Sequence, residues 1–248
     1  MINQIIYQKV GEWEKRGSRK KMLDKIERWL LQFEDDEKSE MLSLLSHFDY
    51  YSQNNLSIAV VDLYNKFKKE CPDEEVVFSK VEKDIGTSYS NILFTEFWLK
   101  NNLYDYTQDN LSNIISENDI KNIVIVDDYF GSGKTIIKYL TKLLQLSDQL
   151  KDRNIFILVL EGSFVGKQAI EKFAKDNQLN ITIVANKYSK KAFDSDNVYS
   201  LTEVDFHRTK YNDIYDKRIN NNEYKFGYGE IEALVSFYYN TPNNAHVR

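Results

Sequence analysis

Over the first 70 residues the apolar positions recur every three or four: Met22, Ile26, Trp29, Leu30 and Phe33 after Ser18, then Leu44, Leu45 and Phe48 after Asp35 and Asp36, then Val60, Val61, Tyr64 and Phe67. That spacing places each set on one face of a helix, and Asp35 and Asp36 are suited to cap the second one. After Pro72 the pattern changes. Short, mainly apolar runs at residues 76–78, 123–126, 155–160, 181–184 and 233–238 alternate with helical stripes through Leu93 and Phe97, through Ile136, Leu140 and Leu143, and through Ala169, Ile170 and Phe173. Runs apolar on both faces, separated by helices, predict a mainly parallel sheet flanked by helices. The chain is therefore read as α/β, with a helical N-terminal subdomain over residues 1–70 and an α/β domain over residues 71–248.

Composition changes this picture little. A length of 248 residues suffices for a sizeable core, and 42% hydrophobic with 29% charged residues suits a globular protein. A net charge of -5 argues against a surface that coats nucleic acid, leaving Lys20-Lys21 and Lys190-Lys191 as solvated faces. One cysteine, Cys71, excludes an intramolecular disulfide framework. The apolar runs are too short to span a bilayer and the N-terminus lacks a signal-peptide pattern, so a cytoplasmic location is expected. With two prolines and no Gly/Ser-rich tract, no linker marks a boundary.

The chemistry concentrates at Ile123-Val124-Ile125-Val126-Asp127-Asp128-Tyr129-Phe130-Gly131-Ser132-Gly133-Lys134-Thr135. An apolar strand delivers two adjacent carboxylates to a short loop whose glycines let backbone amides face a phosphate, and the following stripe puts that phosphate at a helix N-terminus. Gly-Ser-Gly-Lys-Thr also matches the end of the nucleotide-binding pattern G-x-x-x-x-G-K-[ST], an alternative predicting ATP dependence. Its first glycine is replaced by Asp128, a negative charge where amides must wrap a triphosphate.

The run from Val126 to Thr135 resembles the phosphoribosyl-diphosphate (PRPP) signature of type I phosphoribosyltransferases, with Ser132 keeping a hydroxyl and Lys134 standing in place of a glycine. The resemblance implies that Asp127 and Asp128 hold the ribose 2′- and 3′-hydroxyls, while Gly131, Ser132, Gly133, Lys134 and Thr135 cradle the 5′-phosphate. It implies magnesium, bridging pyrophosphate and ribose oxygens, with Asp127 and Asp128 reaching it only through the hydroxyls or water. By position, Lys83, Gly86, Thr87 and Ser88 form the pyrophosphate loop; equally, Thr87 or Ser88 would simply cap a helix. The C-terminal run from Gly227 through Phe237-Tyr238-Tyr239 to Asn240-Thr241-Pro242-Asn243-Asn244 is similar to the ending of bacterial phosphoribosyltransferase-like proteins of anti-phage conflict systems, some of them retron-associated. That resemblance implies a defence effector acting on nucleotides, with PRPP or a related nucleotide as ligand and a reverse-transcriptase or nucleic-acid complex as partner. A non-catalytic nucleotide sensor or scaffold is the alternative, and self-association is left open.

Further candidates are weighed against plainer roles. Glu161, at a strand end, is read as substrate-binding, although Glu161-Gly162-Ser163 also suits a helix start. His207 and Arg208 could face substrate, although a lone histidine more often makes a structural hydrogen bond; Arg208 is retained as a binding candidate. Asn240 and Asn243 are assigned to base recognition, a tight turn being the alternative.

Overall fold

The structure, a computed structural model, describes residues 4–13, 19–71, 75–81, 90–108, 111, 120–218, 225–243 and 245. The chain forms two compact units, one from residues 57–189 and the other from residues 1–56 together with 190–248.

In the unit of residues 57–189, strands β2 (Val76–Lys80), β3 (Thr107–Gln108), β4 (Asn122–Phe130), β5 (Asn154–Ser163) and β6 (Asn180–Ser189) form one parallel sheet in the order β3-β2-β4-β5-β6. The expected mainly parallel sheet flanked by helices is what the chain forms. Helices α6 (Lys134–Leu146) and α7 (Phe164–Asp176) cover one face, where Ile136, Leu140, Leu143 and Ile170 pack on Ile123, Ile125, Ile155 and Ile157. On the other face α4 (Gln53–Glu70) and α5 (Ser90–Lys100) bring Phe67 and Phe97 edge-on and tilted against Phe78 and Phe156. With helices on both faces, β4 has no solvent side, which is why its sequence runs apolar without alternation. Asparagines at the strand starts pin the register: Asn154 Nδ2 donates to Asn122 Oδ1 at 2.8 Å, and Asn180 Nδ2 to Asn154 Oδ1 at 2.6 Å. These three residues are register partners across β4, β5 and β6.

The order β3-β2-β4 contains a change of direction. The chain leaves β2 outward to β3, then returns to β2's other side for β4 and continues outward through β5 and β6. Connections therefore diverge beyond the carboxyl ends of β2 and β4, the crevice that open parallel sheets use for binding.

The other unit joins the two chain ends. Its helices are α1 (Gln4–Trp13), α2 (Arg19–Leu30), α3 (Asp35–Ser46) and α8 (Val204–Arg218). Ile6, Ile26 and Leu44 from the N-terminal part share a core with Phe193, Tyr211 and Leu234 from the C-terminal part. The expected linear division near residue 70 differs from this packing. The reason is a short strand absent from the sequence reading, β1 (Asp49–Tyr51), which pairs in parallel with β7 (Val235–Phe237) as a separate two-stranded sheet. The apolar run at 233–238 is thus a strand, but not part of the five-stranded sheet. Helix α3 begins at Glu34 as N-cap, so Asp35 and Asp36 fill its first turn, where negative charge suits the helix dipole.

Candidate functional site

Asp127 and Asp128 lie near the carboxyl end of β4, 6% and 9% exposed. Each takes the backbone N–H of the next residue: Asp127 Oδ1 accepts from Asp128 N at 3.1 Å, and Asp128 Oδ1 from Tyr129 N at 2.8 Å. Amides turned to side chains cannot serve a ladder, and the β4–β5 register runs to Asp127↔Val159 and resumes at Tyr129↔Glu161. The strand's alternation slips there as well, because Phe130 shares the α6–α7 core with Ile123 and Ile125, one step out of phase. The two carboxylates stand at this slip, where neighbouring side chains need not project to opposite faces.

The loop after β4 is three residues long, Gly131 to Gly133, before α6 starts at Lys134. Gly133 is the N-cap, with φ +72° in the left-handed region. Ile137 N–H already bonds Gly133 O at 3.0 Å, leaving the earlier amides of the first turn without helix partners. Lys134 and Thr135 are exposed there. This geometry separates the loop from a P-loop. The position that needs the first glycine is Asp128, and it is inside a buried strand that continues for two more residues, so no long loop exists to wrap a triphosphate.

The loop is fastened to the next strand–helix junction, a feature not anticipated from the sequence. Ser163 Oγ donates to Gly131 O at 2.5 Å and accepts from Gly166 N–H at 2.9 Å, capping α7 at the same time. The fit is close: a Cβ on Gly166 would lie 2.2 Å from Gly131 O, and one on Gly133 would lie 2.9 Å from Gly166 O. With the Gly131 carbonyl held by Ser163, the backbone around it is set rather than free to rotate. The signal was a second small-residue junction, Gly162-Ser163 followed by Gly166, at the end of the neighbouring strand.

Glu161 is at the carboxyl end of β5, in register with Tyr129 and 1% exposed. Tyr129 Oη is buried with no hydrogen-bond partner among the described residues. Burial first, and then the Glu161 charge, push the Tyr129 phenol well above its ordinary range, and Ser189 opposes this without reaching bonding geometry. Lys83, Gly86, Thr87 and Ser88 lie outside the described residues, as does Asn244. Lys80, the last residue of β2, is the register partner of Val126, so the segment that follows β2 starts next to the two carboxylates.

Arg208, Asn240 and Asn243 belong to the other unit. Arg208 Nη2 lies 2.8 Å from Glu232 Oε1 and 3.6 Å from Glu230 Oε2, and its guanidinium lies over the Phe226 ring at 4.6 Å. Glu232 is fully buried; burial raises its carboxyl, against the Phe193 N–H and Arg208, which lower it. The 2.8 Å approach is an ion pair without hydrogen-bond angles. His207 has a structural partner: its Nδ1 is 2.7 Å from buried Glu40 Oε2, and Tyr199 Oη donates to the other Glu40 oxygen. Asn240 closes a tight turn, exchanging backbone bonds with Phe237, and Asn243 O accepts from Tyr228 N–H at 2.8 Å.

Among the described residues no group of three or more His, Cys, Asp or Glu could hold a metal ion. The two oxygen-only side chains Asp127 and Asp128 do fit magnesium of the kind that keeps most of its waters, touching the protein through at most one or two carboxylates. Also among the described residues, no helix is long and apolar enough to cross a membrane.

Among solved structures, the chain is similar to the Helicobacter pylori xanthine-guanine-hypoxanthine phosphoribosyltransferase, at 16% identity over 66% of this chain and 97% of that one, with a TM-score of 0.38. It is also similar to the AQ2163 protein from Aquifex aeolicus, at 14% identity over 80% and 89%, with a TM-score of 0.40. A third is the hypoxanthine-guanine phosphoribosyltransferase from Schistosoma mansoni in complex with IMP, at 13% identity over 58% and 71%, with a TM-score of 0.35. Likenesses of this degree bear on neither substrate nor mechanism. Comparison with curated proteins gives no match. A family model described as PRTase-CE matches residues 26–247, nearly the whole chain, and the protein belongs to that family.

Proposed function

We propose that this protein binds PRPP, or a closely related nucleotide, at the carboxyl end of β4 and displaces pyrophosphate from C1 of the ribose. The observation that supports this most directly is the pair of buried carboxylates at the divergence of β2 and β4, joined by a three-residue loop to a helix N-terminus. Asp127 and Asp128 accept hydrogen bonds from the ribose 2′- and 3′-hydroxyls and favour the positive charge that grows on the sugar. The amides of Gly131, Ser132, Gly133 and Thr135, with the Lys134 ammonium, hold the 5′-phosphate. Lys83, Gly86, Thr87 and Ser88 are assigned to the pyrophosphate, and Glu161 to the substrate beyond C1. Asp127 and Asp128 would hold magnesium only indirectly, through ribose hydroxyls or water, and the ion would supply neutralisation of the leaving-group charge. The C1–O bond to pyrophosphate breaks, its electron pair leaves with pyrophosphate, and a bond forms from an acceptor or from water, whose proton passes to solvent.

Asn240 and Asn243 are assigned to base recognition. A substrate role for Arg208 requires it to leave Glu232, which would then hold a buried unpaired charge. We extend the reading to an effector of anti-phage defence in the bacterial cytoplasm, with a reverse-transcriptase complex as partner, on the similarity of the Asn-Thr-Pro-Asn-Asn ending. A second reading, a nucleotide sensor or scaffold without turnover, is favoured by one feature, the exposed Lys134 where the signature has glycine. Calorimetric titration with PRPP and magnesium, followed by phosphorus NMR, separates the two. Saturable binding with pyrophosphate release, abolished in a folded Asp127→Asn/Asp128→Asn double variant, is expected. Binding without release favours the sensor, and full turnover in the double variant would sink the assignment of the acids.

A further inference from the structure

The carboxyl ends of β4, β5 and β6 share one irregularity. The β4–β5 register runs to Asp127↔Val159 and resumes at Tyr129↔Glu161, and the β5–β6 register runs to Val159↔Ala185 and resumes at Glu161↔Lys187. Before this break the odd-numbered residues face α6 and α7, Ile125, Val159 and Ala185 among them. Beyond it the even-numbered ones do: Phe130 and Tyr188 join the same core, and a Cβ on Gly162 would run into the Phe130 ring. By alternation Tyr129 and Glu161 therefore stand on the opposite face of the sheet. Without the shift Glu161, two residues after Val159, would carry its carboxylate into the aliphatic packing of Ile136, Leu140 and Ile170, where a charge is costly. The shift turns it out of that core at the end of the sheet where the ligand crevice lies.

Glu161 is 1% exposed, and its register partner on β4, Tyr129, has a buried hydroxyl with no hydrogen-bond partner among the described residues. A donor sealed in this way weakens the fold, so its place beside a buried carboxylate points to a use in binding or chemistry. The sheet order tells which part of the reaction this pair meets. β2, whose following segment is assigned to pyrophosphate, pairs with one side of β4, and β5 pairs with the other. With the ribose held at the end of β4, the leaving group and Glu161 are on opposite sides of the sugar, and a displacement at C1 brings the incoming group in from the side away from the leaving group. On the PRPP reading above, we propose that Glu161 is the general base of this displacement, taking the proton of the N–H or O–H group that attacks C1. The bond from that nitrogen or oxygen to C1 forms as the C1–O bond to pyrophosphate breaks with its electron pair, and the proton rests on the Glu161 carboxylate before passing to solvent.

The test uses the full-length protein with PRPP and magnesium, following pyrophosphate release by phosphorus NMR with water as acceptor and again with added azide, an anionic nucleophile that has no proton to give up. Glu161→Gln keeps the volume of the buried side chain but cannot take a proton. It is expected to bind PRPP as the wild type does, to release pyrophosphate to water about 100-fold more slowly, the low end of what a positioned base supplies, and to regain release with azide, giving a ribosyl azide. Glu161→Ala, shown to be folded by its thermal melt, is expected to repeat the pattern with more room for azide. Release to water at the wild-type rate in Glu161→Gln would overturn the base. So would a slow variant that azide does not restore, since a purely structural role predicts equal loss with both nucleophiles. A wild type that releases pyrophosphate with neither water nor azide would overturn the displacement itself, on which the base depends.

Discussion

Gly166 carries as much of the proposed phosphate cradle as the residues in the loop itself. A methyl group there meets the Gly131 carbonyl oxygen, which belongs to backbone and cannot swing away as a flexible side chain would. Gly166→Ala is therefore expected to destabilise the protein by about 1–3 kcal/mol and to weaken PRPP more than that loss explains, because the loop must move. Thermal melts beside PRPP titration check this, and unchanged affinity in a folded variant would show that the junction does not set the loop. Lys134 separates two chemistries. Exposed at the first helical position, it contributes about 1 kcal/mol as a screened charge, so Lys134→Ala is expected to lower PRPP affinity only severalfold. A P-loop would lose its function outright. Complete loss of binding in the folded variant would revive that reading. The paired acids and loop were legible because they are contiguous in sequence and demand uncommon residues. Tyr129 and the Ser163 fastening were not, because an apolar-looking tyrosine and a capping serine carry no mark of what they will meet.

Among the elements, α8 is held by buried acids from α3. Glu37 takes Lys217 Nζ at 3.1 Å and the Arg218 guanidinium, while Glu40 takes His207 and Tyr199. Burial raises the Glu37 carboxyl, but the bonds from Arg218, from the Glu34 N–H and from Lys217 outweigh it and hold it down to about 2, against an ordinary 4.5. The folded state thus binds this proton more weakly than the unfolded chain. Its stabilising contribution is complete above about 4.5 and is lost as pH falls toward about 2. Urea unfolding between pH 6 and pH 2.5, roughly the span in which carboxylates titrate, is expected to show a shallower loss in Glu37→Gln than in the wild type. Parallel curves would show that Glu37 does not supply the acid sensitivity. Periodicity located α3 but named no helix over residues 204–218, where α8 forms. It was silent on their polar partners, because a glutamate on a helix reads as solvated unless the facing element is known.

At the scale of the molecule, the two ends of the chain complete one core. Ile6, Leu30 and Leu44 need Phe193, Tyr211 and Leu234, and β1 needs β7. A fragment of residues 1–70 is accordingly expected to lack cooperative unfolding, whereas residues 57–189 contain every strand of the five-stranded sheet and both covered faces. Circular dichroism melts of the 1–70 fragment check this, and a sharp transition would favour the linear division instead. What the sequence by itself determined was local: several helices by their apolar stripes, strands by their mainly apolar runs, and the acid-and-glycine loop by its chemistry. In each case the residues responsible lie within a turn or two of one another. Only the tertiary structure decided that 233–238 joins β1, that Gly166 and Ser163 hold the loop, and that Glu37 and Glu40 answer to α8. Those choices rest on partners far apart in the sequence, which contact one another only after the chain has folded.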